Sequence, residues 1–92
     1  MIQSFACADT ERLFRRVRVA RFASIEAVAR RKLDQLNAAT GLSFLRVPPG
    51  NRLKILKGDR AGQHSIRVND QFRLCFVWAA QGPESVELVD YH

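Results

Sequence analysis

Two hydrophobic periodicities divide the chain. Ile2 to Ala6 is a short apolar run and predicts a first strand. From Asp9 onward, Leu13, Phe14 and Val17 recur three or four residues apart, which predicts a helix over about residues 9–17 with Asp9 as its cap. Ser24 is placed to cap a second helix reaching Ala39, whose inner stripe is Ile25, Val28, Ala29, Leu33 and Leu36. Gly41 follows as a stop signal. Pro48-Pro49-Gly50 then breaks regular structure, and beyond it the period falls to two. Leu53 to Leu56 predicts a short strand closed by Gly58. In the next strand His64, Ile66 and Val68 oppose Ser65 and Arg67. In the following one Phe72, Leu74, Phe76 and Trp78 oppose Arg73, Cys75 and Val77. Asn69-Asp70 and Ala80 to Pro83 supply the turns, and Ser85 to Val89 is the last strand. Such short turns imply an antiparallel meander. The predicted fold is therefore α+β: two N-terminal helices packed on a small twisted antiparallel sheet, one domain over residues 1–92 with no repeat or linker.

Charge changes the picture from fold to partner. Fifteen Lys and Arg face nine Asp and Glu, giving a formal net charge of +6 and a pI near 10.4. That excess on so small a body attracts polyanions, and a planar arginine fork holds two phosphate oxygens where lysine offers a point charge. Half of the positive charge lies on the helices (Arg12, Arg15, Arg16, Arg18, Arg21, Arg30, Arg31 and Lys32), where a solvated helix face is the plainer reading. Cys7 and Cys75 lie far apart in apolar strings and read as small buried hydrophobes of a reducing compartment. The first residues lack the basic start and long apolar run of a signal peptide, and no stretch reaches membrane-spanning length. A cytoplasmic protein without a membrane partner is expected.

The candidate chemistry sits on the sheet. If helices cover one face, Arg67 and Arg73 fall on the other, and an open, positively charged face is expected. Lys54 and Lys57 flank the preceding strand, and Arg60 lies in the turn Gly58-Asp59-Arg60-Ala61-Gly62. The last strand runs into Asp90, Tyr91 and His92: an acid, a phenol and an imidazole. This set suits RNA cleavage by attack of a 2′-hydroxyl on the neighbouring phosphate. That reaction needs a base, an acid and cations for the charge that builds on phosphorus. His92 is the natural proton carrier, Arg73 the phosphate clamp, and Tyr91 a stacking surface or second proton donor. No His, Cys and Asp spacing suggests a metal site, and no cofactor is expected.

The run from Leu56 to Phe76 (LKGDRAGQHSIRVNDQFRLCF), closing on Asp90-Tyr91-His92, resembles the HigB-type toxins of the RelE/ParE superfamily. Met1-Ile2-Gln3-Ser4-Phe5 and Pro48-Pro49-Gly50-Asn51-Arg52-Leu53 fit the same family, so the resemblance spans the chain. It implies a bacterial type II toxin, an endoribonuclease that cuts messenger RNA on the translating ribosome. It also implies a cognate helix-turn-helix antitoxin of HigA type, through which alone the toxin would meet operator DNA. Working residues carry over at Lys57, Arg73, Asp90, Tyr91 and His92, with Arg52, Arg60 and Arg67 as the expected RNA-binding set. One position departs: many HigB-type toxins carry histidine where this chain has Lys54, which can act as a base only if its proton is destabilised, and otherwise stabilises phosphate charge. Two other readings stay open, a ParE-type gyrase inhibitor and a non-catalytic basic RNA-binding module. The terminal Tyr91 and His92 tilt toward the ribonuclease.

Overall fold

The computed structural model describes residues 1–91. Helix α1 (Ala8–Phe14) and helix α2 (Glu26–Ala38), the latter preceded by a 3-10 segment (Ala20–Ile25), form one layer. Two further 3-10 segments, Leu42–Arg46 and Pro49–Asn51, lead into the sheet. Among the described residues the sheet comprises β1 (Lys54–Ile55), β2 (His64–Arg67), β3 (Phe72–Ala79) and β4 (Gly82–Asp90), with a 3-10 turn at Gly58–Arg60. The order is β1-β2-β3-β4 with every neighbour antiparallel, the meander predicted from the turns.

The apolar stripes meet as predicted. Leu13, Phe22, Ile25, Ala29, Leu33 and Leu36 from the helical layer pack against Ile66, Val68, Leu74, Phe76, Val86 and Leu88 of the sheet, and Phe72 and Trp78 close the margin. Buried Thr10 stitches the layers together by accepting a hydrogen bond from the Leu88 N–H at 3.0 Å. The aromatic residues Phe5, Phe14, Phe72, Phe76 and Trp78 all belong to or border this core.

The ends of elements differ from the sequence pattern for identifiable reasons. Cys7, not Asp9, occupies the N-cap of α1 and makes no side-chain cap; Asp9 instead pairs with Arg12 at 2.8 Å and Arg21 at 3.1 Å. Helix α1 stops at Phe14 because Arg16 adopts a left-handed conformation (φ 71°). Its N–H bonds the Leu13 carbonyl and the Val17 N–H bonds that of Arg12, closing the helix in a Schellman turn. Val17 is thereby thrown out of the predicted inner stripe and is 49 % exposed. Ser24 lies within the 3-10 segment, so Ile25 precedes α2 in its place. The predicted strand Ile2 to Ala6 reduces to one parallel bridge, Phe5 to Val86. A bulge at Ser85 (φ 52°) shifts the register of β4 against β3, and the Ser85 N–H donates to Ser4 Oγ at 2.9 Å. Strand β4 begins at Gly82, leaving Ala80-Gln81 as a two-residue hairpin turn.

The second sheet face is also unlike the expectation. Ser65 and Cys75 are fully buried and Arg73 is 8 % exposed, so its middle is not open to water. The turn at Gly58–Arg60 sends Arg60 over Cys75 to reach Glu87 on β4 at 3.3 Å, and the chain at Arg52 closes the other side.

Candidate functional site

Cross-strand register builds the site. Lys54, Ser65, Cys75 and Glu87 stand directly opposite one another on β1 to β4, so their side chains share the face away from the helices. Arg73 lies on the same face, two residues before Cys75. Its guanidinium reaches back over β2. Nε donates to Ser65 Oγ at 2.8 Å, and Nη2 donates to the Arg52 carbonyl at 2.7 Å and the Ser65 carbonyl at 3.5 Å. Nη1 takes no partner among the described residues. Arg73 is thus a cation fixed from one side, with Nη1 unengaged among the described residues. Burial lowers its pKa; nearby Cys75 and Tyr91 oppose that shift, while Arg67 and Arg52 reinforce it. A guanidinium keeps its charge under such pressure.

The carbonyl that holds Arg73 is itself positioned. Arg52 sits in a left-handed conformation (φ 46°) directly after Asn51, which is fully buried. The Asn51 amide donates to Gln35 Oε1 at 3.1 Å, the Leu45 carbonyl at 3.1 Å and the Val47 carbonyl at 3.3 Å, and its Oδ1 accepts from Lys32 Nζ. The segment between α2 and β1 is therefore pinned to α2, and its Arg52 carbonyl meets Arg73. Burial, and then Arg31 and Arg67, lower the pKa of Lys32.

Around Arg73 the structure gathers some of the predicted residues and not others. Tyr91 is 43 % exposed, and strand alternation from Val89, the partner of Arg73, puts it on the Arg73 face. Its N–H bonds the Gln71 carbonyl at 2.6 Å. Arg52 is exposed, and Lys54 is exposed beside Ser65. Lys57 is exposed at the start of the Gly58–Arg60 turn. Asp90 lies on the other side of β4, opposite Phe72, and its carboxylate accepts from Gln71 Nε2 at 3.0 Å. Arg60 is engaged by Glu87 and Gln63, and Arg67 is paired with Asp70. His92 lies outside the described residues. The open-face expectation for Arg73 is corrected: alternation gave its direction, but Ser65 and the Arg52 carbonyl bury it. Ser65, Asn51 and Lys32 were missed. The one sequence signal for Ser65 was a small hydroxyl opposite the apolar stripe, two residues from Arg67.

The cysteines separate. Burial pushes the Cys75 thiol up; Glu87 adds to this, against Arg60 and Arg73. Cys7 is half-buried in the helical layer, across the sheet from Arg73, rather than a fully buried hydrophobe. Burial raises its pKa, but the Thr10 N–H and hydroxyl, the Asp9 N–H and Arg21 outweigh that and leave it lowered.

The distribution of charge sharpens the site. Arg12, Arg15, Arg16, Arg21 and Arg30 each pair with an acid on the helical layer. Arg52, Lys54, Lys57 and Arg73 pair with none among the described residues. The unneutralised cations of the second half therefore flank β1 and the Arg73 guanidinium, which suits a multiply charged anion.

Comparison with known proteins points the same way. Residues 4–92 match the family described as RelE-like toxin of type II toxin-antitoxin system HigB. Toxin HigB-1 of Vibrio cholerae serotype O1 is 54 % identical over 55 residues, 60 % of this chain and 58 % of that protein. An uncharacterized protein of Haemophilus influenzae is 43 % identical over 49 residues, 53 % of this chain and 48 % of that protein. The chain spans about half the length of these curated relatives. No described helix is long and apolar enough to cross a membrane.

Proposed function

The chain belongs to the family of HigB-like toxins, RelE-like toxins of type II toxin–antitoxin systems, and from that premise we propose that it arrests growth by cleaving messenger RNA on the translating ribosome. The observation that carries this reading is Arg73, a sheltered guanidinium held at Nε and Nη2, beside Tyr91 and beside Arg52 and Lys54, which pair with no acid among the described residues.

In the proposed reaction the 2′-oxygen forms a bond to the adjacent phosphorus as the bond to the 5′-oxygen breaks. A base takes the 2′-hydroxyl proton and an acid returns one to the leaving oxygen. Arg73 neutralises the charge that develops on the non-bridging oxygens, and its fixed position removes the cost of reorganising at that moment. Lys54 adds a second cation from β1. There it stabilises the phosphate charge and is not the base. Tyr91 stacks on a base or donates a proton, and His92, next in the chain, carries protons near neutrality. The proposed partner is a helix-turn-helix antitoxin of HigA type, which alone would bring the toxin to operator DNA.

Expression in a bacterium lacking the antitoxin tests this reading. The wild-type chain is expected to stop growth and leave new cut sites in messenger RNA, while His92→Gln and Tyr91→Phe grow with fewer cuts. Growth arrest with intact messenger RNA, or unaltered cutting by both variants, contradicts it.

A further inference from the structure

At the β1 edge of the sheet, reaching in to His64 on β2, lies a cleft of about 240 Å³ that, Lys54 apart, the cleavage chemistry leaves unused. The 3-10 segment Leu42–Arg46 forms one wall and β1 the other. Leu42, Leu53 and Ile55 supply apolar surface, Arg46 and Lys54 the charge, and His64 an aromatic ring. We propose that this cleft holds one unstacked nucleobase of the RNA strand whose phosphate Arg73 grips, a proposal that rests on the ribonuclease reading above.

The size and lining of the cleft favour that occupant. The volume falls below the ~300 Å³ at which drug-sized ligand sites begin, so it suits a single ring system rather than a folded peptide segment. Sequence-selective proteins take single-stranded RNA by splaying bases out and seating them against flat or apolar surfaces. The His64 ring is a rigid surface of this kind, backed by Phe76 at a centroid distance of 6.1 Å and an interplanar angle of 20°.

Position and charge agree. Lys54 lines the cleft and also shares the Ser65 face, where Ser65 Oγ holds Arg73. Strands β1 and β3 are two inter-strand steps apart, roughly 10 Å at about 4.8 Å each. A strand crossing the sheet edge at Lys54 can therefore keep one phosphate on Arg73 and turn a nearby base into the cleft. Neither Arg46 nor Lys54 pairs with an acid among the described residues, so both remain available to the phosphates on either side of that base. Ile55, 73 % exposed on a sheet edge, gains a reason to be apolar: it forms the outer wall.

The experiment uses the intact protein and a short 2′-fluoro RNA, which lacks the attacking hydroxyl, alongside the same strand made abasic with every phosphate kept. Imidazole NMR signals are assigned to His64 by comparison with His92→Gln. The base-bearing strand is expected to shift the His64 signals and to bind roughly tenfold or more tighter than the abasic strand. Leu42→Trp, which fills the cleft from a half-buried position, is expected to erase that difference without weakening the abasic strand. Should this variant fail to fold, the His64 signals of the unaltered chain still decide. Equal affinity for both strands, with Tyr91 signals moving and His64 signals static, overturns the base site and leaves the ribonuclease reading in place. The same His64 shift from inorganic phosphate alone also overturns it, since the cations would then suffice. If neither strand binds, the base site falls, while cleavage on the ribosome stands or falls by the growth and cut-site test above.

Discussion

At the scale of single residues, Arg73 shows how a sheet can hold a cation for work. A guanidinium has five N–H donors; two sites of this one are fixed by Ser65 and the Arg52 carbonyl, and Nη1 has no partner among the described residues. Lysine at this position keeps the charge but cannot serve a hydroxyl, a carbonyl and a phosphate in one planar arrangement. Arg73→Lys is therefore expected to lower single-turnover RNA cleavage by about two to three decades, the size of one lost transition-state contact of ~3–4 kcal/mol. Its urea midpoint is expected to fall by only ~1–2 kcal/mol of stability. Cleavage within a few-fold of wild type would remove Arg73 from the chemistry. The cysteines give an independent check on the electrostatics. With its pKa lowered from 9.0, Cys7 is expected to react with iodoacetamide in the folded protein at a rate that levels off below pH 9. Cys75, buried with its pKa raised, is expected to react only in denaturant; equal labelling by mass spectrometry contradicts both assignments. Sequence alone revealed the side of β3 on which Arg73 lies, because period-two alternation is a local property. It could not reveal the burial, because the covering carbonyl of Arg52 is 21 residues away and reaches Arg73 only in the folded chain.

At the scale of elements, the segment from Gly41 to Arg52 carries the coupling between the helical layer and the site. Asn51 donates to Gln35, Leu45 and Val47 and accepts from Lys32, all within a fully buried side chain. Asn51→Ala leaves three carbonyl oxygens and an ammonium without that partner and is expected to destabilise by ~2–4 kcal/mol in urea unfolding. It should also slow cleavage through Arg52, so an unchanged rate at full folding would sever the link to Arg73. Lys32 supplies a pH test. Its folded pKa lies below its ordinary 10.5, so the unfolded chain binds the proton more tightly and folding bears a penalty while Lys32 is charged. That penalty is fully present at neutral pH and is relieved as pH rises toward 10.5. The wild-type urea midpoint is thus expected to climb relative to Lys32→Gln over this alkaline range, and parallel curves would contradict the placement. The meander, both helices and their apolar faces were legible because each rests on a repeating local pattern. The ends were not: Arg16 supplies a left-handed helix stop usually given to glycine, and its pairing with Asp34 on α2 is a tertiary event. Gly82 was equally silent, although a Cβ there would lie 2.3 Å from the Met1 carbonyl oxygen at a φ of 135°.

At the scale of the whole molecule, the net charge of +6 is divided by the sheet into two populations. Arginines of the helical layer are largely matched to acids on their own surface, as the plainer reading of the sequence expected. Among the described residues, Arg18, Arg31 and Lys32 of the helical layer also lack an acid, and the other unmatched cations lie around Arg73 and β1. The totals in the sequence announced a polyanion partner, but only the fold distinguishes the matched charges from the rest. Of the predicted site, Arg73, Tyr91, Arg52 and Lys54 come together, whereas Arg60, Arg67 and Asp90 are engaged elsewhere and His92 lies outside the described residues. The central claim is that this Arg73-centred face cleaves RNA by attack of its own 2′-hydroxyl, and the ends of the products test it most directly. Translating ribosomes carrying a defined messenger RNA are incubated with purified wild-type protein or Arg73→Lys, and the termini are identified by mass spectrometry. The account expects 2′,3′-cyclic phosphate or its hydrolysed 3′-phosphate on one fragment and a 5′-hydroxyl on the other, with both nearly absent for Arg73→Lys. Intact messenger RNA, 5′-phosphate ends, or the same ends at the same rate from Arg73→Lys would contradict it.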